Sequence, residues 1–515
     1  MCFKLKMFIF KNFLDFVKFS FLLIIISNNL IAASIDFSYT SVRDKILESE
    51  RVAATGGSIW LNAREAKANA ILMKAKNQEI TEGLRNPDIY APSMHFFHAK
   101  SRIRRSEVFR IISKMPKGSF LHGHQRGMVS SKWIIKNIMS QFNVFSCRDQ
   151  RGIFIFTARN HTKCVTPLEN VCTERNNSPD KKQYDRVLEK HINMFTLHPE
   201  IGLTERNKLW EKFENIFYAT EDIYKYLPVF REYNKRILEE LYADNIMYAE
   251  IRSSLSPLYC DRNRNYSSLE VLNELEQIVK DFKKTHPDFI GMKIIYAKKN
   301  NANKAEMCKR IDTFKELYKA KPNILIGFDI VGQEDLGEPL QKFIDELSEL
   351  PEGANFFFHA GETNWFGKTD LNMLDAILLN TRRIGHAYAL AKHPQLWDTI
   401  KSRKIAIEVN PISNQILGYI WDLRNHPAAF YIAEDLPLII SGDDPGIWNG
   451  KALSYDFYYA FMSFTSAHAD LRVLKQFALN SIRYAILTPE EKRQFNKIFS
   501  KKWDKFIDEI INSKY

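Results

Sequence analysis

Residues 356–363 read Phe356-Phe357-Phe358-His359-Ala360-Gly361-Glu362-Thr363. Three apolar residues lead directly into a histidine, and a carboxylate follows three positions later. A short, continuous hydrophobic run predicts a buried strand, and this one carries functional groups at its carboxyl end. The same arrangement occurs in Gly118-Ser119-Phe120-Leu121-His122-Gly123-His124 and in Leu436-Pro437-Leu438-Ile439-Ile440-Ser441-Gly442-Asp443-Asp444.

Eight apolar runs, separated by helical patterns, predict the fold. The runs are Gly118–His124, Ile246–Ile251, Phe289–Tyr296, Ile324–Ile330, Asn355–His359, Arg383–Ala387, Ile405–Val409 and Leu436–Ser441. Strands that alternate with helices are typical of a parallel sheet, and eight of them close an α/β barrel of the (β/α)8, TIM type. An open, doubly wound sheet is the alternative, but only closure brings together the polar ends of the first, fifth, sixth and eighth strands.

The chain of 515 residues is longer than a barrel of about 250 residues requires. Residues 34–115 are charged and helical, and they predict an N-terminal arm that packs on the barrel or on a second copy of the chain. The first strand falls within residues 116–126. Residues 127–235 then interrupt the pattern and predict a subdomain inserted on the catalytic face, and residues 236–515 supply the rest of the barrel.

Residues 1–33 have the features of a secretory signal peptide. Lysines at positions 4, 6 and 11 precede an apolar core from Phe19 to Ile26, and Ile31-Ala32-Ala33 offers a cleavage site. An uncleaved membrane anchor is the alternative, but the apolar run is shorter than the roughly 20 residues that span a bilayer. We therefore expect a secreted, extracellular protein without stable membrane insertion.

The chain carries a formal net charge of +12. Four lysines and one aspartate in residues 1–33 contribute +3, so the remainder carries +9. A basic extracellular surface suits an acidic glycan or a cell-surface receptor, and equally suits simple solvation. We expect no nucleic-acid partner, because basic and aromatic residues do not recur together as single-stranded nucleic acid requires.

Six cysteines are too few for a scaffold built on disulfides. Cys147, Cys164 and Cys172 cluster in the insertion, and an oxidising compartment would let two of them pair. Sequons for N-glycosylation begin at Asn160, Asn176 and Asn265.

The polar strand ends predict a metal site. His122 and His124 are two positions apart, so both side chains point to one face of the strand, into the barrel mouth. With His359 and Asp443 they supply three imidazoles and a carboxylate, a set that suits zinc and leaves a position for water; four unrelated polar groups are the alternative. The fourth strand, Ile324–Ile330, lacks the lysine that bridges two ions in related barrels, so one zinc ion per subunit is expected.

Three more polar residues surround this predicted site. Zinc lowers the pKa of bound water and makes hydroxide available. Glu362 is the candidate proton donor, since an apolar cavity raises the pKa of a carboxyl group; the alternative is a helix-capping carboxylate. His386 is expected to orient the water, or else to be a core histidine bonded to the backbone. Asp444 points away from its neighbour Asp443 and is expected to reach the substrate.

These motifs resemble those of the adenosine deaminases. The order and context of that family are found in His122-Gly123-His124, His359-Ala360-Gly361-Glu362-Thr363, Ile384-Gly385-His386 and Ser441-Gly442-Asp443-Asp444-Pro445. Stretches such as Met115-Pro116-Lys117-Gly118 and Leu423-Arg424-Asn425-His426-Pro427 are similar to the secreted branch. That branch is the adenosine deaminase-related growth factors (adenosine deaminase 2-like) of the metallo-dependent hydrolase superfamily. The resemblance covers essentially the whole mature chain.

The resemblance implies a reaction and a role for each site residue. The zinc ligands would be His122, His124, His359 and Asp443. Glu362 would protonate N1 of the purine while hydroxide, assisted by His386, adds to C6. Asp444 would bond N7, and the backbone N–H of Gly332 would bond N3. Ammonia leaves, and adenosine or 2′-deoxyadenosine becomes inosine or 2′-deoxyinosine.

The resemblance also implies uses for the additions to the barrel. The arm resembles a segment that forms a homodimer, and the insertion resembles a receptor-binding domain in which Cys147 and Cys164 form a disulfide. Trp210 matches a tryptophan that helps to close over the nucleoside, and Trp365 is a second candidate for lining the pocket.

Three departures from the family pattern concern substrate range. Gln125 stands where an aspartate near the ribose is usual, Ala387 replaces a glycine, and Asn410 stands where a cysteine is common. None is a metal ligand or the predicted acid, so we expect catalysis to survive. A growth-factor-like protein that binds adenosine or a receptor without turnover is the first alternative. A deaminase that acts on a modified adenine nucleoside is the second. The intact ligand set and Glu362 favour an enzyme.

Overall fold

The computed structural model describes residues 39–260 and 264–513. The predicted signal peptide, residues 1–33, lies outside the described residues. The chain divides into a small unit, residues 1–52, and a large unit, residues 53–515. The described part of the small unit belongs to a helix that begins at Tyr39 and ends at Ala53. In the described ranges, no helix is both long enough and apolar enough to span a membrane.

The large unit contains eight parallel strands that form a closed ring, as the sequence predicts. The strands are β1 (Gly118–Phe120), β2 (Ile246–Ser253), β3 (Gly291–Lys299), β4 (Leu325–Val331), β5 in two segments (Asn355–Phe356 and His359–Ala360), β6 (Arg383–His386), β7 (Ala406–Val409) and β8 (Leu438–Ile440). Each strand pairs in parallel with the next. A parallel bridge between Gly123 and Asp443 joins the residues after β1 to those after β8. The sheet is therefore a (β/α)8 barrel and not an open, doubly wound sheet.

Two strands are less regular than the sequence predicts. The ladder of β1 ends at Phe120, and the residues after it pair only through single bridges, Gly123 with Asp443 and His124 with Arg252. In β5 the ladder is interrupted at Phe357 and Phe358. The backbone N–H of Phe357 still donates to Phe328 O (3.1 Å), and Phe358 O accepts from the N–H of Gly385 (2.8 Å). The irregular centre of β5 therefore still connects both neighbouring strands.

Helices surround the ring and follow its strands. Those after β2 are Ser268–Thr285, Lys304–Ala320, Ile344–Leu347, Lys368–Leu378, Trp397–Arg403, Pro411–Ile416, Ala428–Ala433, Ser454–Ser463, Leu471–Arg483 and Pro489–Asn512. The first two begin at capping boxes, in which a Ser267 or Asn303 side chain and a glutamate three residues later satisfy the free N–H groups of the first turn. The helix Ser454–Ser463 is buried along its whole length.

The arm helices of the large unit pack on the C-terminal part of the barrel. They are Ala63–Arg85, Phe96–Ile103 and Glu107–Lys114. Ala68, Leu72 and Ala75 recur at helical spacing and are buried. Glu65 accepts hydrogen bonds from Lys475 Nζ (2.5 Å) and Trp503 Nε1 (2.8 Å). Of the two predicted locations, packing on the barrel is therefore observed for this segment.

Lys76, on the first of these helices, is fully buried. Its ammonium donates to the backbone oxygens of Ser466 and Ala469, both at 2.8 Å, and lies 4.1 Å from the centre of the Phe461 ring. Burial lowers the pKa of Lys76 to about 7, because the charged form loses its hydration there. The folded chain therefore releases this proton at a lower pH than the unfolded chain does.

The titration of Lys76 should consequently make the unfolding free energy increase as the pH rises. Between pH 7 and 9 the unfolded state binds more protons at this residue than the folded state. We therefore expect the unfolding free energy of the wild type, measured relative to that of Lys76→Met, to increase by about 2 kcal/mol from pH 7 to pH 9. Urea unfolding of both proteins across this window measures the difference. Lys67→Met, an exposed site on the same helix, should give a flat difference, and a flat difference for Lys76→Met would contradict the prediction.

The insertion after β1 contains a three-stranded antiparallel sheet. Phe145–Arg148 is the central strand, and it pairs with Phe154–Thr157 and Glu169–Asn170. A disulfide joins Cys147 to Cys164, the pair that the resemblance implies, while Cys172 is free. The α-helices of the segment are Ser131–Trp133, Val171–Asn177, Lys181–Glu189, Arg206–Lys225 and Leu227–Ala243. The last of these runs through residue 235, so secondary structure does not mark the predicted end of the insertion.

Candidate active site

Five side chains converge at the carboxyl ends of the barrel strands. His122 and His124 follow β1, His359 lies in β5, His386 ends β6, and Asp443 follows β8. The ring centre of His122 lies 5.6 Å from that of His124, 4.7 Å from that of His359 and 4.8 Å from that of His386. The structure therefore brings the four predicted zinc ligands together, with His386 beside them.

The donor atoms of this cluster suit a shared cation. Nε2 of His122 lies 3.4 Å from Asp443 Oδ1, and Nε2 of His124 lies 3.1 Å from the same oxygen. Within the described part of the chain, His122 Nε2 and Asp443 Oδ1 are buried and make no hydrogen bond. Buried polar atoms without a partner are costly, and imidazole nitrogen and carboxylate oxygen are the donors that zinc prefers. The residues present therefore fit a zinc ion.

Two buried carboxylates fix the orientation of the histidine rings. Glu408 Oε2 lies 2.6 Å from His122 Nδ1, and Asp329 Oδ2 lies 2.8 Å from His359 Nδ1. Asp329 also accepts the backbone N–H of His359 at 3.0 Å. Since each ring uses Nδ1 for its carboxylate, Nε2 is the atom left to bind metal.

Two buried arginines neutralise these carboxylates. Arg252 donates to Asp329 (2.6 Å) and Glu408 (2.8 Å). Arg383 donates to Glu408 (2.6 Å) and pairs with Glu250 (2.7 Å). Burial acts to raise the pKa of Glu408, but Arg252 and Arg383 outweigh it and hold that pKa well below its usual value. Glu408 therefore stays ionised inside the barrel, behind the candidate metal ligands.

The residues that the sequence analysis predicts to act on the water and the substrate border the same cluster. His386 Nδ1 lies 3.3 Å from Glu362 Oε1, and His386 Nε2 lies 3.8 Å from Asp443 Oδ2. Burial, reinforced by the charge of Asp443, raises the pKa of Glu362 and that of Asp444 well above their usual values. Burial lowers the pKa of His386 well below its usual value. The surroundings therefore favour a protonated Glu362 beside a neutral His386.

The backbone is left-handed at two residues of the cluster and at one neighbouring residue. His386 has a φ of +62°, its neighbour Ala387 a φ of +45°, and Asp443 a φ of +59°. Residues other than glycine adopt this conformation at a cost of about 1 to 2 kcal/mol. Such strain is typical of sites where the surrounding structure fixes the direction of a side chain, and here it occurs where the chain leaves β6 and β8.

A cavity of about 430 Å³ opens onto the cluster. Glu362, Asp444, Gly332 and Trp210 line it, and so do His124, His359, His386 and Asp443 of the cluster. Gly332 has a φ of +115°, which a glycine adopts readily. Trp365 is not among the residues that line the cavity: the residue is 65% exposed, on a loop where its backbone N–H donates to Thr363 Oγ1 (2.9 Å). The prediction of a lining role for Trp365 is therefore not supported.

Comparison with known proteins identifies the family of this chain. The family described as adenosine/AMP deaminase N-terminal matches residues 19–112, and the family described as adenosine deaminase matches residues 181–501. The chain is 40% identical over 501 residues to adenosine deaminase 2 of Pongo abelii. The aligned region covers 95% of this chain and 97% of that protein. The chain belongs to the adenosine deaminase family. It is also 38% identical over 474 residues to an adenosine deaminase of Lutzomyia longipalpis, with 91% and 93% covered.

Solved structures agree with this adenosine deaminase family fold. The N6-methyl-AMP deaminase of Arabidopsis thaliana superposes with a TM-score of 0.54 at 16% identity, over 76% of this chain and 98% of that one. A zinc-bound amidohydrolase of Burkholderia ambifaria superposes with a TM-score of 0.51 at 18% identity, over 79% and 95%. At these identities the likeness shows the fold alone.

The structure places each of the three positions that the sequence analysis predicts to depart from the adenosine deaminase family pattern. Gln125 lines the cavity and is held by Asn234 Oδ1 (2.7 Å) and Ser253 Oγ (2.7 Å). Ala387 is buried and follows His386, and Asn410 is buried at the end of β7. Of the three, Gln125 alone is among the residues that line the cavity, so it is the departure best placed to affect substrate binding.

Sequence reasoning missed the charged network behind the ligands of this adenosine deaminase family site. Its members are Glu250, Arg252, Asp329, Arg383 and Glu408. Each interrupts an apolar strand with a charge, and a buried charge must be paired. That signal was present in the sequence, although the pairing itself depends on barrel closure.

Proposed function

We propose that this chain is a zinc-dependent adenosine deaminase that converts adenosine and 2′-deoxyadenosine to inosine or 2′-deoxyinosine and ammonia. One observation carries the proposal: Glu362 and His386, both buried and 3.3 Å apart, stand beside His122, His124, His359 and Asp443, whose side chains converge as a metal site requires. Relatives named adenosine deaminase, at 38–40% identity over nearly the whole chain, support the substrate.

The ligands His122, His124, His359 and Asp443 would hold one zinc ion per subunit. A zinc ion there would supply Lewis-acid activation of water near neutral pH. The zinc bound to an amidohydrolase of the same fold supports this choice of metal. The absence of a lysine from β4 supports a single ion.

The protein's own groups divide the remaining work. Glu362, whose raised pKa keeps it protonated, donates to N1 of the purine and so prepares C6 for attack. The neutral His386 orients the attacking water and accepts its proton. Asp444 and the N–H of Gly332 hold the base by N7 and N3. Trp210, buried at the cavity wall, shields the nucleoside from solvent.

Ammonia release from adenosine by the purified protein, with zinc content measured on the same sample, tests the proposal. We expect turnover together with one zinc ion per chain. A protein that holds zinc and binds adenosine without releasing ammonia would instead be the growth-factor-like binder. A protein inert toward adenosine yet active on an N6-substituted adenosine would be the other alternative.

We further propose that the protein is a secreted, glycosylated homodimer. The Cys147–Cys164 disulfide suits an oxidising compartment. On the arm, Trp60 and Leu84 are 87% and 80% exposed, which suits a contact with a second copy. N-terminal sequencing and glycan analysis of protein collected from the medium, with light scattering for its mass, test these points. Receptor and acidic-glycan binding remain proposals for the insertion and the basic surface.

A further inference from the structure

A buried glutamate that the proposed function does not use joins the loops after β4 and β5. Glu334 begins the short turn of helix that follows β4, and it is 7% exposed. Its Oε2 accepts the backbone N–H of Gly361, at 3.0 Å, in the loop that follows β5. The next backbone N–H, that of Glu362, is a second donor to the same carboxyl group. One side chain therefore holds the backbone of the predicted acid and of the residue before it.

Other contacts fix the loop of the predicted acid on both sides. Thr363 Oγ1 donates to Asp335 Oδ1 at 2.5 Å, which is a second link to the loop after β4. Gly361 has a left-handed backbone, with a φ of +79°, and its oxygen accepts the N–H of Ala389, after β6, at 2.9 Å. The loop is therefore tied to the residues after β4 and to those after β6.

The loop after β4 is itself held at its other end. Asn300, which follows β3, donates from Nδ2 to Gln333 O at 2.8 Å. Gln333 Nε2 donates to Asn207 Oδ1 at 2.9 Å. Gly332 is the first residue of this loop; it lines the cavity, and in the proposed function its N–H donates to N3 of the purine. Only Gln333 separates Gly332 from Glu334, so the two predicted base-binding loops meet at the Glu334 side chain.

The Glu334 carboxyl group acts by hydrogen bonding more than by charge. Burial raises its pKa to about 8, although the N–H groups of Gly361 and Glu362 and the side chain of Asn372 act in the opposite direction. At neutral pH the group is therefore mostly protonated, with one oxygen that accepts and one that carries a hydrogen. Its Oε1 is buried and makes no hydrogen bond within the described residues. Glutamine has a similar shape and the same combination of acceptor and donor, so it is the conservative replacement.

We propose that Glu334 is a positioning residue that sets the spacing between Glu362, the donor to N1, and the N–H of Gly332, the donor to N3. The inference rests on the proposed function and deepens it. N1 and N3 belong to the same six-membered ring, so both donors reach it only when the two loops keep a fixed distance. Glu334 is not among the residues that line the cavity, so it acts through the loops that it joins.

Kinetics of the zinc-loaded, full-length Glu334→Met variant test this inference. Methionine fills the volume but is a weak acceptor for the two N–H groups. We expect kcat for adenosine to fall by about tenfold to a hundredfold, because a shift of about 1 Å in a reacting group has an effect of this size, while the zinc content stays at the wild-type value. Glu334→Gln should restore most of the lost kcat.

Glu346→Met is the matched control for the loss of a buried carboxyl group. Glu346 is 8% exposed, and its Oε2 is also buried without a hydrogen bond in the described part of the chain. It pairs instead with Lys304, at 3.6 Å. This variant should keep the wild-type kcat.

A second measurement separates positioning from a general loss of structure. Competitive inhibition by inosine and by 3-deazainosine, in which a C–H replaces N3, gives a ratio of two Ki values. For the wild type we expect 3-deazainosine to bind about tenfold more weakly, because the N–H of Gly332 is left without an acceptor. In Glu334→Met this penalty should shrink to less than about threefold, since Gly332 is no longer held against the ring. A smaller folded fraction would lower kcat and leave the ratio unchanged.

Each outcome decides a different claim. A Glu334→Met enzyme with a wild-type kcat, or with a wild-type ratio of Ki values, would overturn this inference and leave the proposed function standing. A Glu334→Gln enzyme as slow as Glu334→Met would overturn the hydrogen-bonding role. If Glu334→Met does not fold, Glu334→Asp withdraws the carboxyl group by one methylene, and the same two readouts apply. A zinc-loaded wild type that releases no ammonia from adenosine would reject the proposed function and this inference with it.

Discussion

Replacing Glu362 with glutamine should lower kcat for ammonia release by about 10²- to 10⁴-fold, the usual contribution of a general acid. The amide keeps the size of the side chain and can still donate a hydrogen bond, but it has no acidic proton to transfer to N1. Glu362 lies 3.3 Å from His386 and belongs to neither group of donor atoms that could share an ion. The variant should therefore retain its zinc, and kcat should fall far more than KM changes.

The measurement combines steady-state kinetics with zinc analysis. Glu346→Gln is the matched control: that glutamate is also buried, at 8% exposure, but does not line the cavity. It should retain wild-type activity. Asp443→Asn provides the contrast, since it should lose both zinc and activity. A Glu362→Gln enzyme that keeps more than a tenth of the wild-type kcat would show that this carboxyl is not the acid.

Replacing Arg252 with methionine should destabilise the barrel by about 3 to 5 kcal/mol, the typical result of removing one partner of a buried ion pair. Methionine fills much of the volume but leaves Asp329 and Glu408 without their shared guanidinium. Both carboxylates are fully buried, so each would lose a charged partner in a place shielded from bulk solvent. Because they orient His359 and His122, zinc affinity should also fall, by about 10- to 100-fold.

Urea unfolding in the presence of chelator isolates the first effect from the second, since neither protein then gains stability from zinc. Arg264→Met is the control. That arginine is 62% exposed and pairs with Glu270 at 2.8 Å, and surface pairs contribute at most about 1 kcal/mol. If Arg252→Met lowered the unfolding free energy no more than Arg264→Met does, the buried network would not stabilise the fold. Its role in holding the ligands would then have to be abandoned.

The barrel could be predicted because its strands are short, apolar and end in polar residues. That pattern is local, and it located β2 to β4 and β6 to β8 to within a few residues. The interruption of β5 at Phe357 and Phe358 could not be predicted, because it depends on how the strand meets two neighbours at once. The short ladder of β1 has the same origin, in the single bridges that close the ring.

Some features of the candidate site could likewise be predicted from the sequence, and others could not. The convergence of the four candidate ligands could be predicted, because the carboxyl ends of all the strands of a parallel barrel share one rim. Trp365 was misplaced, because sequence proximity to Glu362 says nothing about the direction in which a loop turns. The pairings of Arg252 join residues 77 and 156 positions apart in the chain, and Arg383 pairs with Glu408, 25 positions away, on the next strand. These pairings exist only once the strands are side by side.

The buried network also has a simple electrical consequence. Two guanidinium groups, those of Arg252 and Arg383, face the three carboxyl groups of Glu250, Asp329 and Glu408, and Asp443 adds a fourth carboxyl group beside the histidines. Acidic side chains therefore outnumber basic ones at this end of the barrel. The imbalance draws cations rather than anions toward the histidine cluster.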